Sequence, residues 1–432
     1  MRRLAFMSLL SLLSLLSLLV PLSGCERGAR VKPDTNEPAA VAADPGPVDH
    51  HALAEALAHR FIILDGHVDV PMRVTGARRA GEPLPAVHDH ADDGNFDYVR
   101  ARAGGLDAPF MSIYTPARLQ AEPGESKAFA EENIDFVRGL ALDHPDKFAL
   151  AVTPDEVRAN FDAGLISLAM GMENGSPLEG ELDNLRHFFD RGIRYITLTH
   201  SKDNLICDSS YDDAHTHGGL SAFGREVVAE MNRLGVMIDV SHVSDDTFWQ
   251  VMELSAVPVI ASHSSCRRFT PGFERNMSDE MIVALAEHGG VIQINFGGVF
   301  LTDEYRAASE RAREEIRALL DAEQVDWSSA EGEVIVANYR AAHPLPRVDV
   351  SVVADHIEHV IEIAGVDHVG LGSDFDGVGD SLPEGLKDVS MYPNLIAELL
   401  ERGHSEEEIQ KICSENVLRV WQAVEDHGAA HR

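Results

Sequence analysis

The sequence predicts an α/β protein built as a (β/α)8 TIM barrel, and three observations carry that prediction. Eight short runs rich in β-branched and aliphatic residues recur along the chain. Helical patterns with readable starts separate most of them, and six of the eight runs end in histidine or carboxylate residues. Strands alternating with helices over roughly 370 residues argue a parallel barrel, whose functional side chains gather at the C-terminal strand ends.

The first residues read as an address. Arg2-Arg3, a Leu-rich run with a Ser-Leu-Leu repeat to Leu19, and Pro21-Leu22-Ser23-Gly24-Cys25 supply the positive, apolar and small-residue regions of a secretory signal. Leu22-Ser23-Gly24-Cys25 resembles the bacterial lipobox, which implies cleavage before Cys25 and acylation of that cysteine. Residues 1–24 are therefore expected to be a lipoprotein signal peptide. The competing reading is an uncleaved transmembrane anchor, which the apolar length permits. Residues 25–50 combine Pro, Ala and charge without periodicity, the composition of a flexible tether. The anchor implies a membrane partner and a cell-envelope location, and Glu26, which is not aspartate, points to the outer membrane facing the periplasm.

One barrel domain is expected over 51–425. With 44% hydrophobic and 25% charged residues in 432, the chain can bury a sizeable core. A formal charge of −35 argues against nucleic acid and toward small-molecule or protein partners. Four scattered cysteines, Cys25, Cys207, Cys266 and Cys413, make neither a disulfide scaffold nor a cysteine zinc site, so a metal would rest on His and carboxylates.

A helix-like stretch, His51 to Arg60, precedes the first run, Phe61-Ile62-Ile63-Leu64-Asp65-Gly66-His67-Val68-Asp69-Val70. There His67 and Asp69, two apart on a strand, share one face as a metal half-site. Residues 71–108, rich in Gly, Asp and Arg, read as a long loop. The other seven runs are Phe110–Tyr114, Ile166–Glu173, Tyr195–His200, Val236–His242, Val257–His263, Val291–Phe296 and His368–Asp374. Thr153-Pro154-Asp155-Glu156 and Ser405 to Glu408 carry capping-box signatures of helix starts. Residues 301–348, after the seventh run, read as a helical insertion that either walls the substrate or packs outside the barrel or between subunits, so a homodimer is possible.

The run ends together offer His67, Asp69, Glu173, His200, His242, His263 and Asp374. That exceeds what one tetrahedral zinc needs, and two metals bridged by a carboxylate and a hydroxide fit better. Two zinc ions sharing a water lower its pKa from about 15.7 toward 7, so no protein nucleophile is required. A free carboxylic acid must then protonate the leaving amine, and Asp374 has that position. His215 and His217 read as loop residues, and Asp376 as a loop-capping carboxylate.

Together His67-x-Asp69, Gly171-Met-Glu173, Leu198-Thr-His200-Ser, Ile238-Asp-Val-Ser-His242-Val-Ser, Pro258-Val-Ile-Ala-Ser-His263-Ser-Ser, Arg275-Asn-Met-x-Asp279 and Gly370-Leu-Gly-Ser-Asp374-Phe-Asp-Gly377 resemble the membrane (renal-type) dipeptidase family, the M19 peptidases, from about residue 60 to 420. The resemblance implies a barrel with two zinc ions that cleaves dipeptides. His67 and Asp69 would hold one zinc, His242 and His263 the other, and Glu173 would bridge. It also implies that His200 contacts the scissile carbonyl, Arg275 anchors the substrate carboxylate and Asp374 shuttles the proton. L-Xaa-L-Xaa substrates are expected, and tolerance of a D-residue at the C-terminal position is implied. Two departures stand out: Ser373 replaces the usual glycine, and the loop after His200 lacks the tryptophan that many members show. The second bears on side-chain preference.

Two other classes compete. In a lactonase-type barrel amidohydrolase a carboxylated lysine bridges the metals, and Lys202 lies near the fourth run's end. A non-catalytic periplasmic metal- or solute-binding lipoprotein would have a saturated ligand sphere, whereas His200, Arg275 and Asp374 are surplus to ligation.

Overall fold

The computed structural model describes residues 49–327 and 329–432. The predicted signal peptide, Cys25 and the tether as far as residue 48 lie outside the described residues.

The described residues form nine strands: β1 (Ile63–Val68), β2 (Leu106–Tyr114), β3 (Phe148–Leu150), β4 (Ile166–Glu173), β5 (Ile193–Thr197), β6 (Met237–Asp239), β7 (Ile260–Ser264), β8 (Val291–Ile294) and β9 (Val369–Leu371). Eight of them close a parallel barrel in the order β1-β2-β4-β5-β6-β7-β8-β9, with β9 returning to β1. The predicted (β/α)8 barrel is thus present, and β3 is the strand the sequence did not announce. It is three residues long and pairs only with Ile166 to Leu168 of β4, whose last five residues pair with β2 instead.

The strands are buried along nearly their whole length because helices cover the outside and side chains fill the inside, the pattern of a parallel sheet. Leu64, Phe110, Ala169, Tyr195, Met237, Ile260 and Val291 come from seven successive barrel strands and form one cluster, which is the barrel interior. Trp421, from the C-terminal helix Asn416–His431, joins the cluster with its ring 5.1 Å from that of Phe110.

The stretch 71–108 is not a long loop. Val70–Ala80 is a helix with Pro71 in its first turn and Gly81 as its left-handed C-cap, and Tyr98–Gly104 is a second, N-capped by Asp97 accepting from Arg100 N. Strand β2 then starts at Leu106, before Phe110. The two capping boxes also differ. At Ser405 both reciprocal bonds form. At Thr153 the hydroxyl accepts from Glu156 N at 3.1 Å, but the Glu156 carboxylate accepts from Val152 N, one residue earlier, so only half the box is made.

After β8, the seventh barrel strand, come the insertion helices Asp303–Glu323 and Ala330–Ala342, capped by Thr302 and Ser329. They share a small apolar cluster of their own, Ile316, Leu320 and Val336. No helix among the described residues is long and apolar enough to cross a membrane.

Candidate active site

The C-terminal strand ends converge on Glu173. Its Oε2 lies 3.4 Å from His67 Nε2, which is itself 3.5 Å from Asp69 Oδ2. Its Oε1 lies 3.1 Å from His242 Nε2, 3.3 Å from His263 Nε2 and 3.6 Å from His200 Nε2. One carboxylate therefore turns a different oxygen to each of two histidine groups. All seven candidate residues meet here, and three sets of donors are close enough to hold a cation: His67, Glu173 and His263; Glu173, His200 and His242; His67, Asp69 and Asp374.

The chain delivers these residues differently from a plain reading of strand ends. Of the seven, His67, Glu173 and His263 lie within strands, whereas Asp69 is the N-cap of the following helix and His200, His242 and Asp374 lie three residues beyond the last strand residue. His242 (φ 70°) and Asp374 (φ 62°) adopt the left-handed conformation, which costs energy in a non-glycine residue and turns each side chain back over the barrel mouth.

The donor set fits metal ions. Burial, with Arg275 and His200 nearby, holds the His242 imidazole well below its usual pKa; burial and His67 do the same for His263. Their Nε2 atoms stand 2.9 Å apart and face the same carboxylate oxygen. Two imidazole nitrogens and a carboxylate oxygen aimed at one point are the donor set of a cation site. At His67 burial opposes charge, but Tyr195, Glu173 and Asp69 more than offset it and raise the pKa well above normal. That position therefore demands positive charge, and Nε2 has no hydrogen-bond partner. Hard carboxylates with imidazoles are ligands that zinc accepts.

A second layer fixes which nitrogen of the His67 and His263 rings faces inward. Tyr195 donates its hydroxyl to Gly66 O (3.0 Å), so His67 must donate Nδ1–H to the Tyr195 oxygen (2.8 Å), leaving the Nε2 lone pair for a metal. Ser262 likewise donates to Asp239 Oδ2 (2.6 Å) and accepts from His263 Nδ1 (2.7 Å). Asp239 is fully buried and also accepts from Ser241 N and Ser262 N. Gly171 makes room for this arrangement, because a Cβ there would lie 1.9 Å from the Tyr195 ring. Tyr195→Phe frees the His67 tautomer and should weaken metal binding by about 10- to 100-fold; competition with a chelator measures it.

Asp374 accepts from Asn295 Nδ2 at 2.8 Å, and burial together with Asp69 pushes its carboxyl up to about 7. Gly377 is the close approach beside it: a Cβ there would come within 2.2 Å of Asp374 Oδ1 and 2.3 Å of Asp69 Oδ2. Arg275 is only 2% exposed and sits behind the cleft wall, its guanidinium 5.3 Å from the Phe300 ring. It donates to Ser264 Oγ (2.7 Å) and His263 O (2.8 Å), while its Nε is buried without a partner.

A cleft of about 570 Å³ opens over these groups, lined by Asp69, Glu173, His200, His242 and Asp374 at its base and by Met72, Phe273, Val299, Phe300 and Val378 on its sides. Arg306, Ser309, Glu310 and Arg313, on one face of the first insertion helix, form its outer wall. The insertion therefore borders the site.

Of the remaining candidates, Asp376 borders the cleft and the others fall outside it. The Lys202 side chain is 61% exposed and pairs with Asp212 at 3.2 Å, so it cannot bridge ions at Glu173. His215 and His217 are exposed loop residues, His217 Nε2 lying 2.8 Å from Asn204 O. Asp376 caps a loop, accepting from Asn95 N (2.6 Å) and pairing with Arg73 (3.1 Å).

Imidazoles and carboxylates held in this order at a barrel mouth, with a buried acid beside them, define a barrel metallohydrolase. Residues 51–432 match the sequence profile of the membrane dipeptidase family, peptidase family M19. The dipeptidase verJ of Clonostachys rogersoniana is 34% identical over 377 residues, 84% of each chain. Among solved structures, the probable dipeptidase PvdM of Pseudomonas aeruginosa superposes with a TM-score of 0.73 at 28% identity, covering 88% of this chain and 99% of that one. Dipeptidase AC, a metallopeptidase of the M19 family, gives 0.68 at 25% identity, with 84% and 99% covered. The chain belongs to the membrane dipeptidase family.

Proposed function

We propose that the protein is a dipeptidase working with two zinc ions, one held by His67, Asp69 and Glu173, the other by His242, His263 and the second oxygen of Glu173. The observation that carries this is the orientation of Glu173, with Oε2 toward His67 and Oε1 toward His242 and His263. The ions would polarise the scissile carbonyl and activate a water. The rest falls to side chains. His200, half-buried over the same oxygen, contacts the carbonyl of the bound substrate. Asp374, whose carboxyl is pushed up to about 7, carries a proton to the leaving amine. Arg275, fixed by Ser264 and the His263 carbonyl, supplies positive charge for the substrate's C-terminal carboxylate.

The dipeptidase names of relatives across most of the chain support this reaction class. L-Xaa-L-Xaa and L-Xaa-D-Xaa are the proposed substrates. In the full chain, Cys25 is proposed as a lipid anchor that holds the domain to the outer membrane on its periplasmic side.

A panel of dipeptides, their C-terminal amides, tripeptides and lactones tests the reading. An unpaired buried arginine costs roughly 2 to 5 kcal/mol, so dipeptide acids should exceed their amides by about 30- to 5,000-fold in kcat/KM at about 1.4 kcal/mol per decade. Arg275→Ala should remove the difference. Lactone cleavage without dipeptide cleavage would refute the assignment.

A further inference from the structure

The loop after β5 is tied to the site at two points. Ser209 donates its hydroxyl to His200 O and accepts from Tyr211 N (3.1 Å), and Ser210 N donates to His242 O (2.8 Å). The buried Asp208 carboxylate accepts from His217 N and Gly219 N, each at 2.8 Å, and its carbonyl accepts from Ser244 N (3.0 Å). These bonds fix the backbone that carries Tyr211. Its ring sits 5.9 Å from the His242 ring and 6.0 Å from that of Phe273.

Tyr211 lines the cleft and keeps 42% of its surface accessible, and among the described residues its hydroxyl makes no hydrogen bond. It is a fixed donor facing open space. Phe273 packs against Tyr211 on one side and against Phe300 on the other, with ring centroids 6.0 Å apart in each case, and the Arg275 guanidinium lies 5.3 Å from the Phe300 ring. Arg275 is nearly inaccessible, and each of its Nη atoms already serves a protein acceptor. A carboxylate drawn toward that charge from the cleft side meets an accessible donor in Tyr211.

We infer that Tyr211 is a substrate-binding residue, donating a hydrogen bond to the C-terminal carboxylate of a dipeptide whose charge Arg275 balances from behind the wall. The inference rests on the dipeptidase reading. Hydrogen bonds to charged groups are the stronger class, and losing one to a substrate carboxylate weakens binding by on the order of ten- to a hundredfold.

Tyr211→Phe tests it, because the ring and its packing stay and only the unpartnered hydroxyl leaves. With one dipeptide and its C-terminal amide, the acid-over-amide ratio of kcat/KM should fall by about ten- to a hundredfold, through KM for the acid, with metal content and Tm unchanged. A wild-type preference for the acid that persists undiminished in the variant overturns the inference and leaves the Arg275 anchor standing. Equal loss of kcat on acid and amide overturns it too, since that places the hydroxyl on the reacting carbonyl. A wild-type protein that cleaves acid and amide equally removes the carboxylate anchor and Tyr211's part in it together.

Discussion

Glu173→Gln is expected to lower dipeptide turnover by roughly a thousandfold or more and to remove at least one metal ion per chain, because several kcal/mol of charge stabilisation at about 1.4 kcal/mol per decade are lost with the bridge. The geometry makes the carboxylate irreplaceable. Burial alone would favour a protonated Glu173, but His67, His200, His242 and His263 surround it and hold its pKa well below normal. It stays an anion with an oxygen for each histidine group. Glutamine keeps the shape but supplies one weak oxygen donor and one amide NH2 that cannot ligate. Elemental analysis beside steady-state kinetics checks both parts. Two tightly held metals with near-normal turnover would take Glu173 out of the bridging role.

Asp374→Asn should cost about 10²- to 10⁴-fold in kcat, the range for a positioned general acid, with both metals retained. The substitution keeps an oxygen to accept from Asn295 and removes only the proton carrier. Because Asp374 also stands within reach of His67 and Asp69, metal content is the deciding companion measurement. A variant short of one metal would make Asp374 a ligand rather than the acid.

That the seven candidate residues meet is legible because chemistry-bearing types recur at the ends of apolar runs, whatever the detailed backbone does there. His67 and Asp69 do meet, as strand parity predicts, but by a different geometry. Asp69 has already left the strand, and the helix it caps brings its carboxylate to 3.5 Å from His67. His242 and Asp374 likewise reach the site by left-handed turns that no hydrophobic periodicity reports. The layer behind the candidate ligands is not legible. Tyr195, Asp239 and Ser262 sit inside or beside strands where an aromatic, an acid and a hydroxyl read as ordinary sheet residues, and only the folded register sets Tyr195 under His67 and Ser262 between Asp239 and His263. The helices in 71–108 were hidden by a density of Gly, Asp and Arg that mimics a loop, although Pro71, Asp97 and Gly81 were usable capping signals. Tyr211 had no signal at all: its place depends on loop bonds made by Asp208, Ser209 and Ser210.

The two-metal claim is tested most directly by stripping the purified protein of metal and titrating zinc back while following hydrolysis of one dipeptide. Activity should be near zero without zinc and saturate at two equivalents per chain. Full activity in the metal-free protein, or saturation at one equivalent, would contradict it.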